Sequence, residues 1–431
     1  MTESRKKIFL AMIAGGIEMP TKIRSFQDII DFDFKDEPIV TLFSGGLDSA
    51  FLLYKLQKAG YSQVHALCVD LGEGVDAFKL RKTATSFGAK LIEKDLKAAF
   101  TETAVRPALR AQARYLGSYP VSSSLSRPVI VEAARRHAAS VGAVAIFHTA
   151  NQSQNSLRRL NQAIEYGGFE GFYGSPYEYS AVTREEKAAE LATQGLSFFA
   201  ERKLSGDANL WCREFESGPL DNPEQFEIPE EAFTWTKHSP TLAPIEITLG
   251  FEVGNLVSLD GESIDFQTAI SRLNQEIGAF GHGRFVGLEH LYAGEKVLEV
   301  REAPAALVTM DTLRQLEMAT LDAASIAFKQ SLEPIWTTEA VEGRWYSNLK
   351  QAAQAGIDHL CQRVTGSVTL RVTHQSCLPI SIRAEKPLYL TDRDQWELEI
   401  TRLRGARSLS DLIQPQGGLD VAQPTAWRIA G

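Results

Sequence analysis

A chain of 431 residues is long enough for two or three domains, each burying a core of its own. Its formal net charge is −9 and it holds no lysine- or arginine-rich run, which disfavours nucleic acid as a partner because phosphate neutralisation needs a basic footprint. The four cysteines (Cys68, Cys212, Cys361, Cys377) are scattered without paired spacing, so neither a zinc site nor a disulfide framework is indicated, and no stretch is long enough to span a membrane.

Residues 1–37 read as an N-terminal extension. Arg5-Lys6-Lys7 before Ile8–Ile17 imitates a secretion signal, but the apolar run is short, contains two glycines and meets Glu18 without a clear cleavage site. Past the acidic turn Asp36-Glu37-Pro38, the β-branched run Ile39–Phe43 predicts a central parallel strand, and Ala50–Leu56 a helix that stops near Gly60. Val64–Leu71 predicts a strand, Asp76–Phe87 a helix and Lys90–Leu96 a strand. One long helix is expected over Lys97–Tyr115, another over Arg127–Val141 closed by Gly142, and Ala143–His148 predicts a further buried strand. Such alternation argues for an α/β domain over 38–200, a parallel sheet covered by helices with its ligand at the carboxyl ends of the strands. Ser44, Asp70 and His148 all lie at such ends. From 201 to 400 the pattern changes to α+β: paired strands Ile245–Phe251 and Leu256–Leu259, a helix Ser263–Ile277, a long helix Thr312–Ser331, and a strand pair Gly366–Val372 with Pro379–Ile382. The Gly/Pro-interrupted stretch 401–431 reads as an interaction tail.

Between the first strand and its helix stands Ser44-Gly45-Gly46-Leu47-Asp48-Ser49. Two glycines let the backbone approach a phosphate, and the first N–H groups of the helix then point at that anion with the helix dipole behind them. Ser44 and Ser49 supply hydroxyls, while Asp48 can cap the helix or reach a metal ion on the nucleotide. The string lacks the GxxxxGK[ST] spacing of a kinase-type loop. It resembles the pyrophosphatase-type P-loop (PP-loop) of enzymes that split ATP into AMP and pyrophosphate.

Further stretches, in collinear order from about residue 38 to 390, resemble the argininosuccinate synthase family of that superfamily. Tyr119–Pro128 (YPVSSSLSRP) is similar to the family's YPLGTSLARP, and Cys68–Glu73 to its ADVGQ strand end. Ser205–Arg213 (SGDANLWCR) resembles SIDENLWGR. Gly281–Arg284, Leu288-Glu289 and Arg301–Pro304 follow GVGR, VEN and YEAP, and Lys329–Pro334 and Arg363–Gly366 match as well.

The resemblance implies an adenine nucleotide alpha hydrolase-like domain followed by a synthetase domain. It implies adenylation of a ureido oxygen (citrulline in the family) by ATP with Mg2+, then displacement of AMP by an amine (aspartate in the family). Phe43, Ser44, Gly45, Gly46, Asp48, Ser49 and the Val69 backbone would hold ATP. Tyr119, Ser124, Asn155, Arg159, Ser205 and Glu289 would hold the ureido compound, with Arg159 suited to a carboxylate. Asn151, Asn155 and Ser156 match the family's aspartate site, and Arg127 either opens a helix or serves the reaction. A cytoplasmic homotetramer acting on small amino-acid substrates is the family default.

The sequence departs from the family in two places. The loop HGxTGKGNDQxRFE is replaced by His148–Asn161, which loses a lysine, three glycines and an aspartate; Arg158 is a candidate to meet the phosphate charge instead. At the end that grips the amino-acid group, a serine becomes Glu214 and a tyrosine becomes Arg301, either a compensating ion pair or a pocket re-cut for another partner. Alternatives to the native reaction are therefore a ligase with a different acceptor and amine, and a catalytically silent nucleotide-binding paralogue. Another PP-loop activity, such as tRNA thiolation, is disfavoured by the acidic charge and the missing CxxC.

Overall fold

The computed structural model describes residues 22–404, apart from 73, 75, 201–204, 238 and 292–293. Six parallel strands form the first sheet: β1 (Lys22–Ile23), β2 (Ile39–Leu42), β3 (Val64–Asp70), β4 (Lys90–Asp95), β5 (Ala145–Phe147) and β6 (Phe172–Gly174), in the order β1-β6-β5-β2-β3-β4. The chain lays down β2, β3 and β4 in one direction and returns to place β5 on the other side of β2. That reversal opens a crevice at the carboxyl ends of β2 and β5, where ligands settle on such sheets.

Both faces of β2 are buried, which explains its unbroken apolar run. Ile39 and Phe43 face one side, packed with Phe51, Leu52 and Leu56 of α2 (Leu47–Lys58) and Leu191 of α6 (Arg184–Thr193). Val40 and Leu42 face the other, against Val131, Ala134 and Ala138 of α4 (Ser123–Val141) and Leu160 and Ile164 of α5 (Ser156–Tyr166). The remaining helices here are α1 (Phe26–Asp31) and α3 (Ala77–Ser86).

In the N-terminal extension, residues 22–36 are ordered: β1 pairs with β6, and Ser25 caps α1 through a reciprocal box with Asp28. Two sequence expectations are corrected. The long helix expected over 97–115 runs without a gap from Lys97 to Arg110 and stops there, with a π-turn at Thr101–Val105 just before Pro107, which has no N–H to offer the preceding turn. The chain then turns at Gln112 (φ 48°) into a small ribbon, Arg114–Tyr115 with Tyr119–Pro120. The helix expected over 312–331 is two, Pro304–Thr320 and Ala323–Val341, divided where the Asp322 carboxylate caps Ser325 N–H at 2.9 Å. Residues 1–21 and the tail 405–431 lie outside the described residues.

The second domain holds two antiparallel sheets. One runs Arg284–His290, Lys296–Glu302, Arg213–Glu216, Ser205–Ala208; the other has five strands around Ile245–Glu252. Its core of Leu249, Phe251, Leu273, Leu313 and Trp336 continues into Phe100, Tyr119 and Leu125. The ribbon and the start of α4 are thereby clamped between the two domains. Among the described residues no helix is long and apolar enough to cross a membrane.

Candidate functional site

The loop after β2 is shaped as an anion cradle. Gly45 takes φ 74°, a conformation natural to glycine, and Gly46 is the N-cap of α2 with no side chain bonded to the first turn. Ser49 is buried, its Oγ donating to the Gly46 carbonyl at 3.0 Å and lying 3.3 Å from Ser44 Oγ. Phe43 is buried beneath the loop, and Val69 lies near the end of the neighbouring β3.

Asp48 does not stand alone. Its Oδ1 lies 2.6 Å from Nζ of Lys187 on α6, and its carbonyl accepts from the Tyr177 hydroxyl at 2.9 Å. Lys187 is only 8% exposed. It is the cation beside the cradle, whereas Arg158 turns to Glu342 at 3.0 Å. Lys187 carried no motif in the sequence.

The other strand ends serve structure. Asp70 accepts from Gly72 N–H at 2.8 Å and pairs with Lys97 Nζ at 2.6 Å, fixing the turn after β3. His148 is fully enclosed, with Nε2 2.9 Å from Asn161 Oδ1 and Nδ1 accepting from Ala150 N–H at 3.3 Å. Burial lowers its pKa to about 4, so it is neutral at pH 7. Unfolding lets it regain a value near 6.5. Its contribution, on the order of 3 kcal/mol, is therefore present above pH 6.5 and lost as pH falls towards 4. Urea titrations across that range should show stability falling with pH, and a His148→Gln variant should lose this part of the slope.

The residues expected to bind the ureido compound converge where the two domains meet. Tyr119 is buried, stacked on Tyr115 with centroids 5.4 Å apart, and covered on its face by the Arg301 guanidinium at 4.2 Å. Glu214 and Arg301 stand directly opposite each other on neighbouring strands and pair at 2.8 Å. One of the two alternatives, an ion pair between these residues, is thus present within a larger cluster. Arg301 also reaches Glu289 at 3.1 Å, the Pro120 carbonyl at 3.0 Å, and Glu299, which lies two residues away on the same face of its strand.

Arg159, expected to face a substrate carboxylate, turns to protein groups: Nε donates to the Val341 carbonyl at 2.7 Å, Nη1 to Ser123 Oγ at 2.9 Å, and Nη2 to Glu289. Asn155 donates to Glu289 at 2.9 Å and to the His290 carbonyl at 2.7 Å. Burial alone would raise Glu289, but Arg159 and Arg301 outweigh it and hold the carboxyl down at about 2. Glu214 and Glu299 are pushed up by burial.

On the rim, Arg127, near the start of α4, donates from Nε to Ser156 Oγ at 3.1 Å and pairs with Asp207. The Asn151 carboxamide oxygen accepts from Ser153, its N–H at 3.0 Å and Oγ at 2.7 Å. Ser124 is buried on the first turn of α4, where Pro128 leaves its carbonyl without a helical donor. Ser205 pairs through its backbone with Glu216; its side chain lies outside the described residues. Glu299, Ser123 and Asp207 join the site without having been given a role, although Ser123 and Asp207 lie inside the motif stretches Tyr119–Pro128 and Ser205–Arg213. For Glu299 only its i, i+2 spacing from Arg301 could have pointed to it.

Comparison with known proteins covers most of the chain. Residues 38–193 match the family model of the arginosuccinate synthase N-terminal HUP domain, and residues 204–402 that of the arginosuccinate synthase C-terminal domain. The argininosuccinate synthase of Thermosynechococcus vestitus is 33% identical over 363 residues, covering 83% of this chain and 90% of its own. Those of Rubrobacter xylanophilus (34%, 84% and 90%) and Pyrococcus furiosus (33%, 81% and 86%) are similarly related. A solved NH3-dependent NAD synthetase from Campylobacter jejuni aligns over 41% of this chain and 75% of its own at 15% identity, with a TM-score of 0.29, too low to carry an argument.

Proposed function

The chain belongs to the argininosuccinate synthase family, a family of carbon–nitrogen ligases, and from that premise we propose that it adenylates a ureido-type oxygen with ATP and lets an amine displace AMP. A ureido carbon is a poor electrophile because nitrogen lone pairs delocalise into it, and its oxygen is a very poor leaving group. Attack of that oxygen on the α-phosphorus breaks the bond to the bridging oxygen and expels pyrophosphate. The amine then forms the new C–N bond, the C–O bond breaks, AMP leaves, and the amine proton passes to solvent. The protein's part is orientation and charge neutralisation, which can supply about 7–11 kcal/mol when reactants are held in attack geometry.

The observation that carries this reading is the uncapped N-terminus of α2 behind Gly45 and Gly46, with Lys187 beside it. Those groups fit the triphosphate of ATP. Mg2+ would ride on the phosphates, and Asp48 with the serine hydroxyls supplies the hard oxygen donors that ion prefers. Aspartate as the amine is less well supported: Asn151, Asn155 and Ser156 all spend their side chains on protein partners. We extend the proposal to a cytoplasmic homotetramer by family default.

The test is product analysis with ATP, a panel of ureido acceptors and a panel of amines. AMP and pyrophosphate formed only when both acceptor and amine are present support the proposal. ADP and phosphate in their place sink it, and ATP binding without turnover across the panel would favour the silent paralogue.

A further inference from the structure

Pyrophosphate leaves an adenylation step with several negative charges, and the N-terminus of α2 offers only about half a positive one. A full cation is needed beside the loop, and the crevice has few to give. Arg158 and Arg159 are held by Glu342 and Glu289, Arg127 by Asp207, and Lys97 by Asp70 and Asp95. Lys187 differs from these. Among the described residues its one ion pair is with Asp48, in the first turn of the helix that follows the loop.

Lys187 is presented on a firm support. Thr183 and Glu186 cap α6 reciprocally, and Leu191, one turn beyond Lys187, packs against α2. The ammonium stands 5.3 Å from the centre of the Tyr177 ring, whose hydroxyl donates to the Asp48 carbonyl at 2.9 Å, so lysine, tyrosine and the first turn of α2 form one unit. An ammonium carries three donors, and among the described residues the Asp48 carboxylate is the one acceptor it meets. Arg159 shows the contrast, with every nitrogen already donating to the protein. The Asp48 side chain is 33% exposed, so it can leave Lys187 for water at little cost.

We infer that Lys187 exchanges partners when nucleotide enters: its ammonium turns from Asp48 to the terminal phosphates of ATP and stays with them as pyrophosphate departs. There it meets the negative charge that moves onto the bridging oxygen when the bond from that oxygen to the α-phosphorus breaks. Hydrogen bonds from a charged donor are the strong kind, and this one strengthens in the transition state, where the charge appears. That role rests on the ligase reading for what the loop holds. Until the anion arrives Asp48 occupies the ammonium, so carboxylate and phosphates compete for it.

Titration calorimetry on the full chain, in buffer with EDTA, tests the exchange with inorganic pyrophosphate, ATP and AMP. Lys187→Met keeps an unbranched apolar stem and removes the charge. Pyrophosphate and ATP should each bind it at least about tenfold more weakly than the parent, and AMP within about twofold. Lys187→Arg should restore most of the affinity for pyrophosphate. Asp48→Asn should bind pyrophosphate about tenfold more tightly than the parent, and most of that gain should vanish on the Lys187→Met background. A lysine that merely packed beside the loop would produce none of these differences.

Pyrophosphate affinity unchanged by Lys187→Met, or an Asp48→Asn gain of equal size on both backgrounds, overturns the inference and leaves the ligase reading intact. So does a parent protein that binds ATP but not pyrophosphate. An equal loss for AMP would mean a distorted loop and overturns it too. A parent that binds neither ATP nor pyrophosphate sinks the ligase reading as well. Melting temperatures without ligand report folding, and Lys187→Gln gives the same comparison should Lys187→Met fold poorly.

Discussion

Replacing Gly45 with valine will abolish pyrophosphate release while leaving the protein folded. The residue sits at φ 74°, where a β-branched side chain is strained, and an added Cβ would come within 2.5 Å of Leu80 Cδ2. The loop must move, and the N–H groups of α2 then no longer converge on the departing phosphates. Losing a single well-placed donor of this kind typically costs 10²–10³ in rate, about 2.7–4 kcal/mol, and here several are displaced together.

Ser44→Ala and Asp48→Ala should follow with losses of about a hundredfold, the second also stripping Lys187 of its partner. Gly60→Ala is the matched control: φ is 90° there, but nothing lies within 4 Å, so it should lower stability by about 1 kcal/mol and spare activity. Activity comes from pyrophosphate release, folding from the melting temperature, and nucleotide binding from the ATP-induced shift in it. Full turnover by Gly45→Val would remove the loop from the mechanism.

What the sequence disclosed was local. Strand β2, the glycine turn and α2 are contiguous, and each residue in them is decided by its neighbours: an apolar run buried on both faces, a left-handed turn, a free helix start. The helix over 97–110 shows the limit of such reasoning, since apolar periodicity gave no sign of the π-turn at Thr101–Val105 or of the stop after Arg110. Lys187 could not be read at all. It stands 139 residues from Asp48 in the chain and reaches it only because α6 packs beside α2. The substitutions at 214 and 301 were visible as departures, yet their opposition across two strands is a matter of register, and register is set by the whole sheet. Asn155 and Arg159 both turn to Glu289, which stands 130 residues beyond Arg159 in the chain and which no local pattern ties to either of them.

Arg301→Ala is expected to be the most destabilising single change in the acceptor crevice. The guanidinium is the common counter-cation of Glu214, Glu289 and Glu299 and covers the Tyr119 ring at 4.2 Å. Removing one partner of a buried ionic cluster leaves uncompensated charge and typically costs about 3–5 kcal/mol, far more than the cluster itself is worth against a hydrophobic replacement. Arg301→Lys should recover only part of this, because an ammonium cannot reproduce the planar fork that meets several carboxylates.

The sign of the pH dependence separates charge from packing. In the intact protein Glu289 is held at about 2, so its stabilising contribution is present above the ordinary value of 4.5 and lost as pH falls towards 2. The variant lacks much of that contribution to begin with. Its deficit relative to the parent should be largest at pH 7 and shrink as the glutamates take up protons, while the His148 term cancels in the difference. Urea unfolding of both proteins at pH 7 and pH 4 measures this. A deficit of equal size at the two pH values would mean that Arg301 acts by filling space rather than by its charge.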